Sequence, residues 1–575
     1  MNDAPTNPTT LNRWLPLAAP LLIVVAALWY YGSYLRFWFN PHDEGGTAVL
    51  TAMRLLAGEA PIRDVELGYN VGWFWPIVAL FKITGVNFLV MRGFFFVLST
   101  ITALLGWSLV RRLTRNEWLA LGVGLALVIL PGSQFKNYNP LLCVANMLCV
   151  ANAALGSGVA LTAFWRRLAW GGIVLGLTLL VRIDIGYLFA LLWAGFLVLR
   201  LFECRLAFGR RPGDAALSAA ILFAGVVVVH APAWGIAKAG GYEKEFTAQY
   251  ETWAGYLRAE ARSLAAPAPA APKPPALAPA QQADRSTLPR TDWATARTLR
   301  DPDKSVLFAL TYAPLLIYAL AIFWAVTLIG RAWARREFAV DQPAALALLV
   351  LIGSMAAFPQ FFFFRPDRPH LSEFMPGYIV ATVCLVGMLG ARLRWIIGGL
   401  LAVQLGLFGW FALDHYSAGT IAARWNIKES KRQLFNGANG VRVWVHKDKE
   451  FPILEGVRSA VVEHSRPGDW LVCYPYQPGY NVMTDRSTYE HDLYQDNATA
   501  PRGWSRYAIR RIEEKKPAVL VIDNRAINKV EASRFSVWAA PVYEYLQANY
   551  ELCGTFGPKD RGNRDRIEVF ARRAR

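Results

Sequence analysis

The sequence predicts a polytopic α-helical membrane protein with a soluble α/β domain at its C-terminal end. Three observations predict this fold class. Only 18% of the 575 residues are charged and 54% are hydrophobic, whereas soluble domains average about 25% charged residues. Apolar runs recur, many of them near the roughly 20 residues that a helix needs to cross a hydrocarbon core. From residue 414 onward, strand-like and helix-like segments alternate with ordinary soluble composition.

Eleven apolar runs are predicted to cross the membrane. Together they form a transmembrane domain over residues 14–413, which follows a cytoplasmic N-terminus at residues 1–13. The runs cover residues 14–34, 88–110, 117–131, 140–164, 168–186, 187–202, 214–236, 304–330, 342–364, 372–391 and 395–413.

Arginine clusters set the predicted orientation of these spans in the plasma (inner) membrane. They fall in alternate short loops, as the positive-inside rule requires of cytoplasmic loops. The rule puts residues 132–139, 238–303, 365–371 and 414–575 on the outer, periplasmic or extracellular face. The net charge of +18 is therefore attributed to the arginine clusters that set the topology, and no nucleic-acid partner is expected.

One apolar segment, residues 71–85, leaves the first loop open to two topologies. As a helix its 15 residues reach about 22 Å, short of a hydrocarbon core of about 30 Å. It also contains Pro76 and Lys82. We expect it to lie along the interface, so that residues 36–87 form the first outer loop with juxtamembrane helices. If it crossed, residues 36–70 would be cytoplasmic.

Two regions outside the membrane differ in character. The long outer loop at residues 238–303 contains a Pro/Ala tract at residues 266–280, which is typical of an extended spacer. Residues 414–575 carry strand-like segments (DWLVCYPY, AVLVID, RIEVFARR) and helix-like segments (FPILEGVRSAVVEHS, SRYAIRRIEEKK, APVYEYLQANY). Their alternation predicts a small α/β domain.

Signatures of nucleotide-dependent and hydrolytic soluble enzymes are absent from the sequence. It has no GxxxxGK[ST], no GxGxxG after a strand, no HExxH and no GxSxG. No cofactor is expected, and any chemistry must come from polar residues at the outer membrane face.

The first candidate site is the stretch FNPHDEGGTAVLTAMRLLAGEAPIRD at residues 39–64. Asp43 and Glu44 directly follow the first span, where an acidic residue can cap a helix or act as a catalytic base. Arg63 and Asp64 end the stretch. Which of the two carboxylates would act is left open by their spacing.

This stretch, followed by GYNVGWFWPIVALFKITG, resembles the first outer loop of GT-C superfamily glycosyltransferases. Within that superfamily it looks most like the protein O-mannosyltransferase and lipid A aminoarabinose transferase branch, over roughly residues 14–200. The resemblance implies a lipid-phosphate-linked sugar donor and a catalytic carboxylate in this loop, which matches Asp43 with Glu44 as its neighbour. Arg63, Asp64 and Tyr69 are the matching candidates for substrate contacts.

A basic cluster stands at the outer end of a late span, in FFFFRPDRPHLSEFMPG at residues 361–377. Arg365, Arg368 and His370 surround Asp367. Long basic side chains at such a position snorkel to lipid headgroups or bind a phosphate. The resemblance favours the phosphate of the donor lipid, because the family has basic residues and a histidine there.

Two further outer segments carry candidate substrate-binding residues. Arg182 and Asp184 interrupt apolar sequence, which indicates either a mutual ion pair or a contact with phosphate or sugar. Lys136, Asn137 and Tyr138 lie in a short loop that is either a sugar site or a simple turn. Because this loop has no acidic residue, no bound metal is expected.

The predicted function is transfer of a sugar from a polyprenyl-phosphate donor to a hydroxyl acceptor on a glycan, lipid or protein, with inversion and Asp43 as general base. The alternative is a transporter or flippase of lipid-linked sugars. Transporters of this kind are built from internal repeats, and the sequence shows no such repeat.

Overall fold

The computed structural model describes residues 10–41, 45–130, 138–156, 161–206, 213–251, 302–358, 368–389, 391–415, 429–493, 495, 500–501, 503–526, 531–557 and 565–573. Helices dominate the part that precedes residue 416. Their bounds are α1 (Thr10–Tyr34), α2 (Thr51–Leu56), α3 (Val71–Thr84), α4 (Phe88–Thr114), α5 (Glu117–Ile129), α6 (Tyr138–Leu155), α7 (Leu161–Val181), α8 (Ile183–Leu206), α9 (Gly213–Ala239), α10 (Pro302–Ala334), α11 (Pro343–Ser354), α12 (Arg368–Met388) and α13 (Ala391–His415).

Eight of the described helices are long and apolar enough to cross a membrane. They are, in whole or in part, α1, α4, α6, α7, α8, α9, α10 and α12. The predicted spans near residues 117–131 and 342–364 correspond to the shorter helices α5 and α11, of 13 and 12 residues. The integral-membrane character is thus confirmed in outline, while the count of eleven spans stays a prediction.

The predicted boundaries around residue 182 are wrong. The hydropathy pattern predicts one span over residues 168–186, but α7 ends at Val181 and α8 begins at Ile183. Hydropathy alone misplaced the junction because the apolar residues continue on both sides of Arg182. The break occurs where Arg182 pairs with Asp184 in the first turn of the next helix.

The described chain divides into two compact units. Unit 1 comprises Met1–Tyr34, Phe94–Gly235 and Ser286–Ala423. Unit 2 comprises Leu35–Gly93, Ile236–Arg285 and Arg424–Arg575. Unit 2 therefore contains the first loop together with the C-terminal domain.

Helix α6 contacts several other helices of unit 1. It packs against α7, α11 and α12, and its buried face includes Cys143 and Asn146. A Cβ at Gly377 of α12 would lie 2.6 Å from Cys143 Sγ, so this glycine allows the two helices to approach closely. Asn146 donates to Thr178 Oγ1 of α7 at 2.8 Å and accepts from Trp193 Nε1 of α8 at 3.3 Å.

The C-terminal domain has the predicted α/β character. Its elements are β1 (Arg432–Asn436), β2 (Arg442–His446), α14 (Phe451–His464), β3 (Leu471–Tyr474), α15 (Gly479–Thr484), α16 (Trp504–Lys515), β4 (Val519–Asp523), α17 (Phe535–Trp538), α18 (Ala540–Asn549), β5 (Tyr550–Phe556) and β6 (Ile567–Arg572). The three predicted strands and three predicted helices are confirmed as β3, β4, β6, α14, α16 and α18.

The order and direction of the strands could not be predicted from the sequence pattern. A four-stranded sheet has the order β3-β4-β6-β5, with β3 parallel to β4 and the other pairs antiparallel. Strands β1 and β2 form a separate antiparallel hairpin. Between the sheet and its helices lies a core that includes Leu520, Phe570, Trp504, Phe535 and Leu546.

The first loop docks on the β1–β2 hairpin through its backbone. Phe37 forms a parallel bridge with Trp444: the N–H of Trp38 donates to the carbonyl of Trp444 at 2.9 Å, and the N–H of Trp444 donates to that of Arg36 at 2.7 Å. The loop thus adds a short strand to the exposed edge of β2.

Arg92 of α4 also binds this segment. Its guanidinium is fully buried and donates to the carbonyls of Leu35 at 3.1 Å, Phe37 at 2.8 Å and Trp38 at 2.6 Å. A planar guanidinium carries five donors in a fixed fork, so one side chain satisfies three neighbouring carbonyls.

We predict that Arg92→Met destabilises unit 2 by on the order of 3 kcal/mol, since three buried or partly buried carbonyls each lose a bond worth about 1 kcal/mol. Arg112→Met is the matched control on α4, because Arg112 is exposed and makes one bond to Asn152. Thermal unfolding of the full chain in detergent compares the two variants. Equal midpoints for both would contradict the assigned role of Arg92.

Candidate functional site

The acidic pair of the first loop lies between two described segments. One ends at Pro41 and the next begins at Gly45, so Asp43 and Glu44 fall outside the described residues and their catalytic role stays a prediction. Gly45–Leu50 form a π-helical turn that leads directly into α2. Turns of this kind are rare and are often found at functional sites.

Arg63 and Asp64 pair with each other. Arg63 Nε and Nη2 lie 3.1 Å from the Asp64 carboxylate oxygens, and the N–H of Ala60 donates to the same carboxylate at 2.8 Å. The Arg63 guanidinium, followed by the Ala60 N–H, lowers the pKa of Asp64. Tyr69 stacks on Trp73 with ring centroids 5.2 Å apart. Contacts of Arg63, Asp64 and Tyr69 with a substrate stay predictions.

Arg182 is buried at the junction of α7 and α8 in unit 1. Its Nε and Nη2 donate to the two carboxylate oxygens of Asp184 at 3.0 and 2.7 Å. Asp184 lies in the first turn of α8, so the pair joins consecutive helices. This arrangement fixes the orientation of the guanidinium without leaving a buried charge uncompensated.

The start of α6 is joined to the start of α12 by a buried polar contact. Asn139, the second residue of α6, donates through Nδ2 to the carboxylate of Glu373. Asn139 and Glu373 are 1% and 6% exposed. Asn139 Oδ1 has no hydrogen-bond partner among the described residues. Tyr138, which precedes Asn139 in the chain, is also buried and lies edge-on to Phe95.

These contacts bring several predicted residues to one end of unit 1. Because Glu373 meets Asn139, the first turn of α12, which contains Arg368 and His370, lies beside the start of α6. Asn146 and Thr178 are also bonded. Asn146 is eight residues from the start of α6, and Thr178 is four residues from Arg182. At 1.5 Å per residue, the α7–α8 junction is therefore within about 10 Å of the start of α6 along the helix axes.

The structure leaves part of the predicted site untested. Lys136, Asn137, Arg365 and Asp367 lie outside the described residues, and Arg368 and His370 are described as backbone only. Among the described residues, no group of three His, Cys, Asp or Glu side chains is arranged to hold a metal ion. The prediction of a metal-free site stays a prediction.

Glu373 is a polar residue of this end that was not predicted as a site residue. Glu373 is a carboxylate inside a predicted span, and such residues usually face a cavity or a partner. That signal was present in the sequence. Asn139 belongs to the loop predicted to be either a sugar site or a simple turn, but its partner Glu373 is 234 residues away in the chain, so their contact could not be predicted.

Unit 2 contains a second polar cluster, at the carboxyl end of β3. A small cavity there is lined by side chains that include Tyr474, Thr488, Glu490, Asp492 and Gln495. Tyr474 donates its hydroxyl to Glu490 Oε1 at 2.9 Å. Burial raises the pKa of Glu490 to about 7, although the Tyr474 hydroxyl and nearby arginines act in the opposite direction.

Comparisons with known proteins give one kind of match. No family model matches the chain, and no curated protein matches it. Among solved structures, the chain is similar to ArnT from Cupriavidus metallidurans in the apo state, with 14% identity and a TM-score of 0.49 over 98% of both chains. It is equally similar to ArnT bound to undecaprenyl phosphate, over 96% of this chain and 98% of that one, with 14% identity and a TM-score of 0.49.

We predict that Glu490→Gln stabilises the protein increasingly as the pH rises. The folded state holds the Glu490 proton up to about pH 7, whereas the unfolded chain releases it near 4.5, so wild-type stability falls with pH between these values. The glutamine variant lacks this loss and should be more stable by up to about 3 kcal/mol above pH 7, with little difference at pH 4.5.

Unfolding midpoints of the full chain at pH 4.5, 6 and 8 measure this difference. Glu463→Gln, an exposed carboxylate of α14, removes the same charge and should show no such trend. A Glu490→Gln difference that stays flat or shrinks with rising pH would contradict the account.

Proposed function

We propose that the protein is an integral-membrane glycosyltransferase. It takes a sugar from a polyprenyl-phosphate donor at the outer face of the inner membrane and passes it to a hydroxyl acceptor on a glycan, lipid or protein. One ArnT structure contains bound undecaprenyl phosphate. We assign a carrier lipid of this class to the protein. Among the described residues, the supporting observation is that the pairs Arg182–Asp184 and Asn139–Glu373 lie where α6, α8 and α12 begin.

The polar end of unit 1 is suited to a phosphate. Arg182 is buried and oriented by Asp184, and the first turn of α12 brings the backbone of Arg368 and His370 beside the start of α6. We assign these residues, with Arg365, to the phosphate of the leaving lipid. Fixed cations stabilise a transition state in which negative charge develops on that phosphate.

Asp43 is assigned as the general base, with Glu44 beside it. As the acceptor oxygen attacks C1 of the sugar, the carboxylate takes the hydroxyl proton. The bond between C1 and the phosphate oxygen breaks, and its electron pair leaves with the polyprenyl phosphate. One displacement of this kind inverts the configuration at C1. The leaving phosphate is already an anion, so the step needs neither nucleotide nor metal.

We predict that Asp43→Asn lowers the rate of sugar transfer by about 10²–10⁴-fold, the usual contribution of a general base. Glu44→Gln is the matched control and should retain most of the activity. Release of undecaprenyl phosphate from a lipid extract of the host membrane, followed by mass spectrometry, measures transfer. Binding of undecaprenyl phosphate to both variants should equal that of the wild type.

Two results would overturn this assignment. Full transfer by Asp43→Asn would remove Asp43 as the base, and loss confined to Glu44→Gln would move the role to its neighbour. Wild-type protein that binds and translocates lipid-linked sugars without releasing undecaprenyl phosphate would favour the transporter instead.

A further inference from the structure

Gly479, the first residue of α15, makes an unusually close backbone contact with the first loop. Its N–H donates to the carbonyl of Pro41 at 2.8 Å. A Cβ at this position would lie 2.4 Å from Pro41 Cα and 2.7 Å from Pro41 O. Both are backbone atoms, which cannot move aside as the end of a side chain can. Gly479 does not have a positive φ. A glycine is therefore required by the close approach of the two backbones and not by the backbone conformation.

The same short helix also contacts the chain on the other side of the acidic pair. α15 packs against the π-helical turn Gly45–Leu50. Val49 and Leu50 of the turn are fully buried, as is Val482 of α15. Both segments that flank residues 42–44 are therefore held by one element of the C-terminal domain.

Further bonds tie the following part of the loop to the same domain. Arg54 is buried, pairs with Glu59 at 2.5 Å and donates through Nη1 to the carbonyl of Glu490 at 2.5 Å. The N–H of Glu66 donates to the carbonyl of His491 at 2.7 Å, and His491 Nε2 lies 2.8 Å from the carbonyl of Ile62. These bonds fix the position on the domain of the part of the loop that follows the π-helical turn.

We propose that α15 positions the acidic pair by binding the segments on either side of it, and that Gly479 is a positioning residue for sugar transfer. The catalytic part of this inference rests on the proposed role of Asp43. Only three residues separate Pro41 from Gly45, so a displacement of Pro41 is passed along the chain to the carboxylates. The C-terminal domain then takes part in catalysis by holding the base in place, without touching the sugar.

The size of the expected effect follows from the geometry. Carbon atoms in contact prefer a separation of about 3.5–4.0 Å, so an alanine at 479 must push Pro41 and α15 apart by about 1 Å. A misplacement of about 1 Å can lower a catalytic rate by about 10²-fold. Because the proposed phosphate contacts lie in unit 1, the half-saturating donor concentration should not change.

The test compares Gly479→Ala with Gly554→Ala in the full-length protein. Gly554 lies in β5, and the atoms nearest to its added Cβ would be two of the Phe556 ring and, at 3.7 Å, Cβ of Ala460. This control therefore introduces a tight contact in the same domain without touching the first loop. Alanine normally favours a helix over glycine, so lower helix propensity cannot explain a defect in Gly479→Ala.

Hydrogen exchange of the peptide covering residues 45–56 reports docking without any substrate. Loss of contacts worth about 1 kcal/mol should speed its exchange by about five- to tenfold in Gly479→Ala, with no change in Gly554→Ala. The maximal rate of undecaprenyl phosphate release from the host lipid extract should fall by about 10²-fold in Gly479→Ala alone, at an unchanged half-saturating extract concentration.

Each outcome decides the inference. Unchanged exchange in Gly479→Ala would show that α15 does not hold the loop in place. Faster exchange with an unchanged maximal rate would show that this contact does not contribute to catalysis. If Asp43→Asn stays active while Gly479→Ala loosens the loop, the proposed base fails and the docking contact stands.

Discussion

Backbone groups of the first loop are satisfied by the C-terminal domain, and the arrangement of unit 2 depends on that constraint. Buried N–H and C=O groups must be paired, and this loop contributes few regular elements that could pair them internally. In the C-terminal domain, Trp444 of β2 exchanges backbone bonds with Arg36 and Trp38, and the N–H of Gly479 donates to Pro41. Arg92 of α4 adds bonds to the carbonyls of Leu35, Phe37 and Trp38. Because these bonds join segments up to about 440 residues apart, loop and domain form one compact unit.

A related constraint acts on the polar residues of unit 1. Charges and amides among apolar helices are costly unless they are paired, and three described pairs meet this requirement. Arg182 binds Asp184, Asn139 binds Glu373 and Arg200 binds Glu203. The first two pairs lie where α6, α8 and α12 begin, whereas Arg200 and Glu203 lie near the opposite end of α8. Polar groups with a proposed role in phosphate binding are therefore concentrated at one end of the unit.

The sequence predicted local features well and long-range ones poorly. Apolar runs and the strand–helix alternation located α4, α9, β3 and β4, because periodicity and composition are local signals. The break at Arg182 was missed since hydropathy does not register a salt bridge two residues away. β1, β2 and β5 were missed because their pairing with distant segments, not their own pattern, makes them strands. Glu373 and Gly479 have roles that depend on Asn139 and Pro41, and no single-sequence pattern connects those positions.

The central claim is that the loop bearing the acidic pair and the C-terminal domain share the outer aqueous face. Ala57 and Asp448 are exposed in these two parts, and Ala334 is exposed at the end of α10, in a loop that the positive-inside rule makes cytoplasmic. Single cysteines at the three positions can be labelled in intact spheroplasts with a membrane-impermeant maleimide. The account predicts labelling at 57 and 448 from outside, and at 334 only after permeabilisation. Labelling of position 57 only after permeabilisation would contradict it.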